Sequence, residues 1–484
     1  MSKRPTMTPR RLLVASFSAL ALVGGVVAAP SLATAAPSAG GSASKIAPEL
    51  ATALDADGSA SFWVRFAARA DLSAAQQIDD WDARGTAVYR ALKATARESQ
   101  ADVAGLLVAR GVSYESYFIA NAIHVTAGDR ALADEIAAAP GVSELLVLGK
   151  PELIEPVQRT AAPVGPAAPE WGLLNIKADQ VWSTFGVRGE TIVVANIDTG
   201  VQYNHPALVA QYRGNKGGGT FNHNRSWFDA QGSAGAPYDT NGHGTHTMGT
   251  MVGDDGGANQ IGVAPKAKWI TANGCCPSWQ AILDSAQWML APTKLDGSRP
   301  RAKKRPHVIN NSYGSSGSSD PIMDSVIAAW EASGIFGMFS NGNGGPSCST
   351  AGTPGGRTVA YSAGAYDISN NIASFSSRGP GQSGTIKPNI AAPGVNVRSS
   401  LPGGAYGNLS GTSMSSPHVA GAVALLWSAE PAVKRDITAT ETLLDNTAID
   451  VSSLACGGTA DDNNVFGEGR LDALALVTAA ALRE

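Results

Sequence analysis

Between Ile192 and Ala363 the chain carries five short apolar runs: Ile192–Ile197, Lys268–Thr271, Val308–Asn311, Ile335–Ser340 and Thr358–Ala363. Helical stretches stand between several of them, such as Ala281–Leu290 and Ile322–Ser333. Short runs that are apolar almost throughout, rather than alternating, read as strands buried on both faces. Strands that alternate with helices build a mostly parallel sheet covered on both sides, an α/β fold. Residues 170–484 are read as one domain of this kind. In such sheets functional groups gather at the C-terminal ends of the strands.

The first run ends in Ile197-Asp198-Thr199-Gly200-Val201. A carboxylate at the mouth of a parallel sheet can orient another group, although an Asx turn would also explain an Asp at this point. Asn241-Gly242-His243-Gly244-Thr245-His246 follows, with His243 between two glycines and open to one side. His246, three residues on, reads as packing. The pair is a weak zinc signal because the glutamate of HExxH is absent. His124, His205, His223, His307 and His418 lack the setting of His243 and are read as structural. The third stretch is Gly411-Thr412-Ser413-Met414-Ser415-Ser416-Pro417-His418, running into an apolar helix through Trp427. Ser413 stands at or just before a helix N-terminus, where free N–H groups and the helix dipole favour negative charge. Its hydroxyl serves there either as an N-cap or as a nucleophile whose oxyanion those N–H groups receive. Asp198, His243 and Ser413 supply acid, base and nucleophile in the order Asp, His, Ser. The lipase pattern GxSxG fails, since Ser415 replaces its second glycine.

The front of the chain reads differently. Lys3, Arg4, Arg10 and Arg11 precede the apolar run Leu12–Ala29 and the small-residue site Ala33-Thr34-Ala35, the pattern of a secretory signal peptide over residues 1–35. Residues 36–48 are Ala/Gly/Ser-rich and read as a flexible leader. Residues 49–155 hold a strand at Phe62–Phe66, helical spacing from Leu72 to Arg110, two strands between Val112 and Val125, a helix at Ala131–Ala139 and a strand at Val142–Leu148. The order β-α-β-β-α-β is the split-βαβ, ferredoxin-like arrangement. Residues 156–169 carry four prolines and read as an exposed linker, with Arg159 an easy protease target. Export permits disulfides among Cys275, Cys276, Cys348 and Cys456. Their spacing is not that of a zinc site. A net charge of −4 does not recommend nucleic acid as a partner, and no second hydrophobic segment suggests a membrane anchor.

The three stretches resemble those of the subtilisin-type serine proteases, the subtilases of peptidase family S8, in order and in approximate separation. Residues 261–267, 308–314, 374–380 and 386–394 add to the likeness, which covers about Trp171 to Val477. Residues 274–278, 287–293 and 342–350 look closer to the bacillopeptidase F-like branch. The resemblance implies a subtilisin-like three-layer fold and a secreted endopeptidase that acts on proteins and peptides. Ser413 would attack the carbonyl, His243 would carry the proton and Asp198 would hold the imidazole. Of the two asparagines in residues 340–345, the family pattern selects Asn343 over Asn341 as the oxyanion donor. Ser312, Tyr313 and Gly314 would line the substrate backbone. Gly352 would floor the P1 pocket and leave it roomy enough for large apolar residues. The front domain would be an I9-like inhibitory propeptide, cleaved in or near the linker, of a self-processing zymogen. A disulfide between Cys348 and Cys456 would brace the oxyanion loop, leaving Cys275 with Cys276. No cofactor is required on this reading. No calcium site is expected, because Ala207 follows His205-Pro206 and residues 253–260 are short for the family's calcium loop. A monomer is expected. A dead peptide-binding homologue would need a missing triad member, and none is missing. A transpeptidase on the same scaffold would differ in product mass.

Overall fold

The computed structural model describes residues 44–161, 168–317 and 321–483. The expected signal peptide and most of the expected leader lie outside them. From Lys45 onward the chain forms one compact unit. The leader ends sooner than its composition implies: Ile46 is buried and bridges to Leu145.

Helix α1 (Pro48–Asp57) starts on a proline and ends at Gly58, whose φ of +71° suits glycine. Strand β1 (Ser59–Phe66) follows. The expected long helix is three: α2 (Ser73–Gln76), α3 (Trp81–Ser99) and α4 (Ala101–Ala109). Asp80 restarts it, accepting the Ala83 N–H. Strands β2 (Tyr114–Tyr117) and β3 (Ala122–Asp129), helix α5 (Arg130–Ala138) and strand β4 (Val142–Leu146) complete the front region. Its four-stranded antiparallel sheet has the order β2-β3-β1-β4, the ferredoxin-like arrangement. One sheet face, with Phe62, Val64, Ile123 and Val125, packs on α1, α4 and α5. The other, with Trp63, Tyr117 and Ala122, belongs to a core shared with the rest of the chain.

Two short strands then lead on, β5 (Glu152–Leu153) and β6 (Gln158–Ala161). The large domain runs through α6 (Trp171–Asn175), α7 (Ala178–Phe185), β7 (Val193–Asp198), β8 (Trp227–Asp229), α8 (His243–Val252), β9 (Lys268–Asn273) and α9 (Trp279–Leu290). It continues with β10 (Val308–Asn311), β11 (Tyr313–Gly314), α10 (Asp324–Ala332), β12 (Phe336–Ser340), β13 (Tyr361–Tyr366) and β14 (Ile390–Pro393). The last elements are β15 (Val397–Leu401), β16 (Ala405–Ser410), α11 (Thr412–Ala429), α12 (Ile437–Thr447) and α13 (Ala473–Ala481). Strand β13 begins later than its apolar run because residues 354–359 are spent on turns.

Seven strands form the central sheet in the order β14-β13-β12-β10-β7-β9-β8, every pair parallel. Successive residues of β7 serve opposite faces: Val194 joins a core with α8, α11 and α13, and Ala195 one with α9 and α10. The sheet therefore sits in the middle of three layers. Asp198 ends β7, and α8 and α11 lie together on one face, so three separate stretches converge at the strand ends. Among the described residues no helix is long and apolar enough to cross a membrane.

Candidate active site

His243 opens α8 directly after Gly242, whose φ of +94° turns the chain into the helix. Its Nδ1 lies 2.7 Å from Asp198 Oδ1. Gly244 has to be glycine, since a Cβ there would stand 2.1 Å from the Gly200 carbonyl oxygen. The other carboxylate oxygen of Asp198 accepts from Thr247 Oγ1 at 3.1 Å, and Oδ1 also accepts the Thr199 N–H at 2.8 Å. These bonds lock the carboxylate against the ring. His243 Nε2 is buried and has no hydrogen-bond partner among the described residues.

Ser413 is the second residue of α11. Pro417, four residues on, lacks the N–H that would bond the Ser413 carbonyl, and that oxygen instead accepts from Ser312 Oγ at 3.5 Å. The Ser413 hydroxyl donates to the Ile154 carbonyl at 2.9 Å. Asn343 Nδ2 donates to the next carbonyl, that of Glu155, at 2.9 Å. Thr412 sets the orientation of this amide, because its N–H and hydroxyl both donate to Asn343 Oδ1, at 2.9 and 3.0 Å. Asn341 donates instead to the Ser377 carbonyl and is fully buried.

The chain from Glu152 to Ala161 runs across these groups. Strand β5 pairs antiparallel with β11, Leu153 opposite Tyr313 and Glu152 opposite Gly314. The Ile154 N–H donates to the Ser312 carbonyl at 3.3 Å. Beyond Pro156, the Val157 N–H donates to the Ser410 carbonyl and β6 adds to the edge of β16. Main-chain pairing of an extended segment on a sheet edge is the usual way a groove holds a peptide. The segment covers the Ser413 hydroxyl, and Asp198, His243 and Ser413 are all at most 1% exposed. Arg159 is held rather than free: its guanidinium donates to the Asn241 carbonyl and Oδ1 and to Glu155. Beside the crossing lies a cavity of about 260 Å³ lined by Ile154, Gly314, Ser315, Thr350, Gly352 and Thr353. A Cβ on Gly352 would meet the Ser315 carbonyl at 2.5 Å, and one on Gly314 the Thr353 carbonyl at 2.7 Å.

A sequence model of the subtilase family matches residues 189–470. The chain belongs to the subtilase family, the subtilisin-like serine peptidases. Bacillopeptidase F of Bacillus subtilis is 36% identical over 424 residues, which is 81% of this chain and 28% of that protein. The present chain thus spans little more than a quarter of that relative. Subtilisin DY of Bacillus licheniformis is 35% identical over 270 residues, 54% of this chain and 85% of its own. Subtilisin BL of Lederbergia lenta is 32% identical over 305 residues, 63% of this chain and 96% of its own.

Several residues of this subtilase's site were not singled out from sequence. Asp239 holds the loop before His243: it accepts from the N–H groups of Asn241, Gly242 and Thr245 and from the hydroxyls of Thr199 and Thr245. Burial pushes its carboxyl up from the ordinary range, against these hydrogen bonds. An Asp two residues before Asn-Gly is a turn signal that could have been read. Thr247 and Thr412 carried no signal of their own, since a Thr in a small-residue helix is unremarkable. His246 is buried, with Nε2 on the Val397 carbonyl, and burial pushes its pKa down to about 3. His205 and His418 are likewise tied to main chain, at the Ala405 and Met414 carbonyls. Cys348 is bonded to Cys456 across 108 residues, which joins the loop after Asn343 to the C-terminal segment, and Cys275 is bonded to Cys276. Among the described residues no group of three or more His, Cys, Asp and Glu side chains could hold a metal ion.

Proposed function

We propose that this subtilase is a secreted endopeptidase, made as a self-processing zymogen, which hydrolyses peptide bonds through an acyl-enzyme on Ser413. His243 takes the Ser413 proton as the oxygen attacks the carbonyl carbon, then delivers it to the departing amine. Asp198, at 2.7 Å, orients the ring and offsets the imidazolium charge. Asn343 Nδ2 and the Ser413 N–H receive the oxyanion, and losing one such donor costs about 10²–10³ in kcat, a magnitude known from subtilisin. Water then cleaves the ester and the serine is restored. Every step is assigned to these side chains, and the reading requires no cofactor.

The observation that carries the reading is the crossing at residues 152–161, where successive carbonyls meet Ser413 and Asn343. A segment in that position blocks other peptides, so the front domain acts as an intramolecular inhibitor until it is cut away. Substrates are extended peptides taken up at Ser312–Gly314, with the side chain before the cut in the pocket over Gly352. The enzyme works as a monomer, without a stable membrane anchor and without nucleic acid as a partner. The test is expression of the full chain beside Ser413→Ala, with both secreted products weighed intact. Loss of roughly the first 150 residues in the parent alone supports the reading. Equal trimming of both, or none together with no cleavage of casein, refutes it.

A further inference from the structure

We propose that the first bond this chain cuts in itself is Ile154–Glu155, and that the folded precursor holds this bond one residue out of step with its oxyanion donor. The inference rests on the self-processing reading above and adds the register. In a productive complex one carbonyl must meet both the nucleophile and the oxyanion donors. Here two neighbouring carbonyls share those partners: Ile154 takes the Ser413 hydroxyl and Glu155 takes Asn343. The cause is a tight turn in which the Glu155 N–H donates to the Leu153 carbonyl at 2.8 Å. This i to i+2 bond shortens the chain and draws the second carbonyl into the site.

Three observations assign the acyl side to Ile154 rather than Glu155. The ladder of β5 on β11 continues without a break to the Ile154 N–H on the Ser312 carbonyl. Both Ile154 and Glu155 border the cavity with Gly314 and Gly352, but the Ile154 side chain enters it, its Cδ1 lying 3.6 Å from where a Gly314 Cβ would be. The Glu155 carboxylate points elsewhere, pairing with Arg159 at 3.2 Å in solvent. Chemistry adds a fourth. The alternative bond, Glu155–Pro156, leaves through a proline nitrogen that carries a ring carbon in place of hydrogen. That carbon crowds the side from which His243 must protonate the leaving group. At Ile154–Glu155 the nitrogen is an ordinary N–H.

Cleavage then follows from a small movement. Opening the Leu153–Glu155 turn releases the Glu155 carbonyl and lets the Ile154 oxygen reach Asn343. Ser413 Oγ bonds to the Ile154 carbonyl carbon and its proton passes to His243. The bond to the Glu155 nitrogen breaks as that proton is delivered to it. Water releases Ile154 as a free carboxylic acid and restores the Ser413 hydroxyl.

The test uses the full chain and a time course read at both new ends of the earliest fragments. A front fragment ending at Ile154 and a partner beginning at Glu155 are expected. Glu155→Pro makes the bond a prolyl bond and should lower the rate of this cut at least 100-fold. Its melting in the Ser413→Ala background, lowered by no more than the single Leu153–Glu155 hydrogen bond that proline removes, shows that the fold is kept. Pro156→Ala should leave both ends unchanged. A first cut at Glu155–Pro156 or within residues 157–169, or a Glu155→Pro chain that still yields the Ile154 end at the parent rate, overturns the register while self-processing stands. Identical fragments from Ser413→Ala overturn self-processing, and with it Ser413 as the agent of this cut.

Discussion

Gly85 sits in the first turns of α3, an exposed-looking helix of the front domain, where replacement by alanine should help a helix by about 1 kcal/mol. The structure reverses the sign. A Cβ at Gly85 would stand 2.1 Å from Arg305 Nη1 and 2.4 Å from its Cζ. Arg305 is 1% exposed and cannot swing into water. Its guanidinium donates to the Ser333 carbonyl at 3.1 and 2.8 Å and to the Ala302 carbonyl at 2.9 Å, and it lies 3.3 Å from the ring centre of Trp81. Arg84 beside it donates to the carbonyls of Ala332 and Glu331 at the end of α10. Moving the guanidinium far enough to admit a methyl group breaks about two of its hydrogen bonds, each worth about 1.5–3 kcal/mol when the donor is charged. Set against the helix gain, Gly85→Ala should lose roughly 2–5 kcal/mol. Denaturant unfolding in the Ser413→Ala background, where the chain stays whole, measures it. Gly105→Ala in α4 is the control, because nothing lies within 4 Å of its Cβ, and it should stabilise by about 0.5–1 kcal/mol. A Gly85→Ala midpoint at or above that of the parent would refute the packing of α3 on Arg305.

Asn343→Ala should lower kcat about 10²–10³-fold with little change in KM, measured on a peptide substrate. Thr412→Val, which removes the hydroxyl that fixes the Asn343 amide, should lower kcat by a smaller factor, while Thr412→Ser restores it. Breaking the Cys348–Cys456 link by a double serine substitution should cost about 4–5 kcal/mol from loop entropy across 108 residues, read by denaturant unfolding. Asp284, on α9 under the front domain, has its carboxyl pushed up to about 7, first by burial and then by Glu115 of β2. A raised carboxyl pKa means the folded chain binds the extra proton. That share of stability is present below about 4, the unfolded value, and is lost as pH rises toward about 7. Asp284→Asn should therefore flatten the loss of front-domain attachment over this range relative to the parent. His124, pushed down by burial, works in the opposite sense and is common to both chains.

What could be read in advance follows from local chemistry. The apolar runs gave five of the seven strands of the central sheet, because a strand buried on both faces must be apolar along its length. Asp198, His243 and Ser413 stood out because glycines and small residues crowd around them where backbone and side chains approach closely, while only the subtilase resemblance separated Asn343 from Asn341. The three-residue strand β8 escaped notice because it carries too little periodicity, and β14 because its sequence Ile390-Ala391-Ala392-Pro393 is poor in strand-forming residues and ends in proline. Thr412 and Thr247 act only through partners far away in the chain, and nothing in their own neighbourhoods marks them, whereas Asp239 before Asn241-Gly242 left a turn signal. The linker is the clearest case. Its prolines and alanines describe an extended segment, and residues 158–161 form strand β6, but composition cannot say what an extended segment pairs with. Only the tertiary structure lays β5 and β6 on the edges of β11 and β16 and brings the Ile154 and Glu155 carbonyls to Ser413 and Asn343. The reason is physical: the sequence by itself determined which groups can react and which segments stay extended, while register across non-local hydrogen bonds decided which carbonyl they meet.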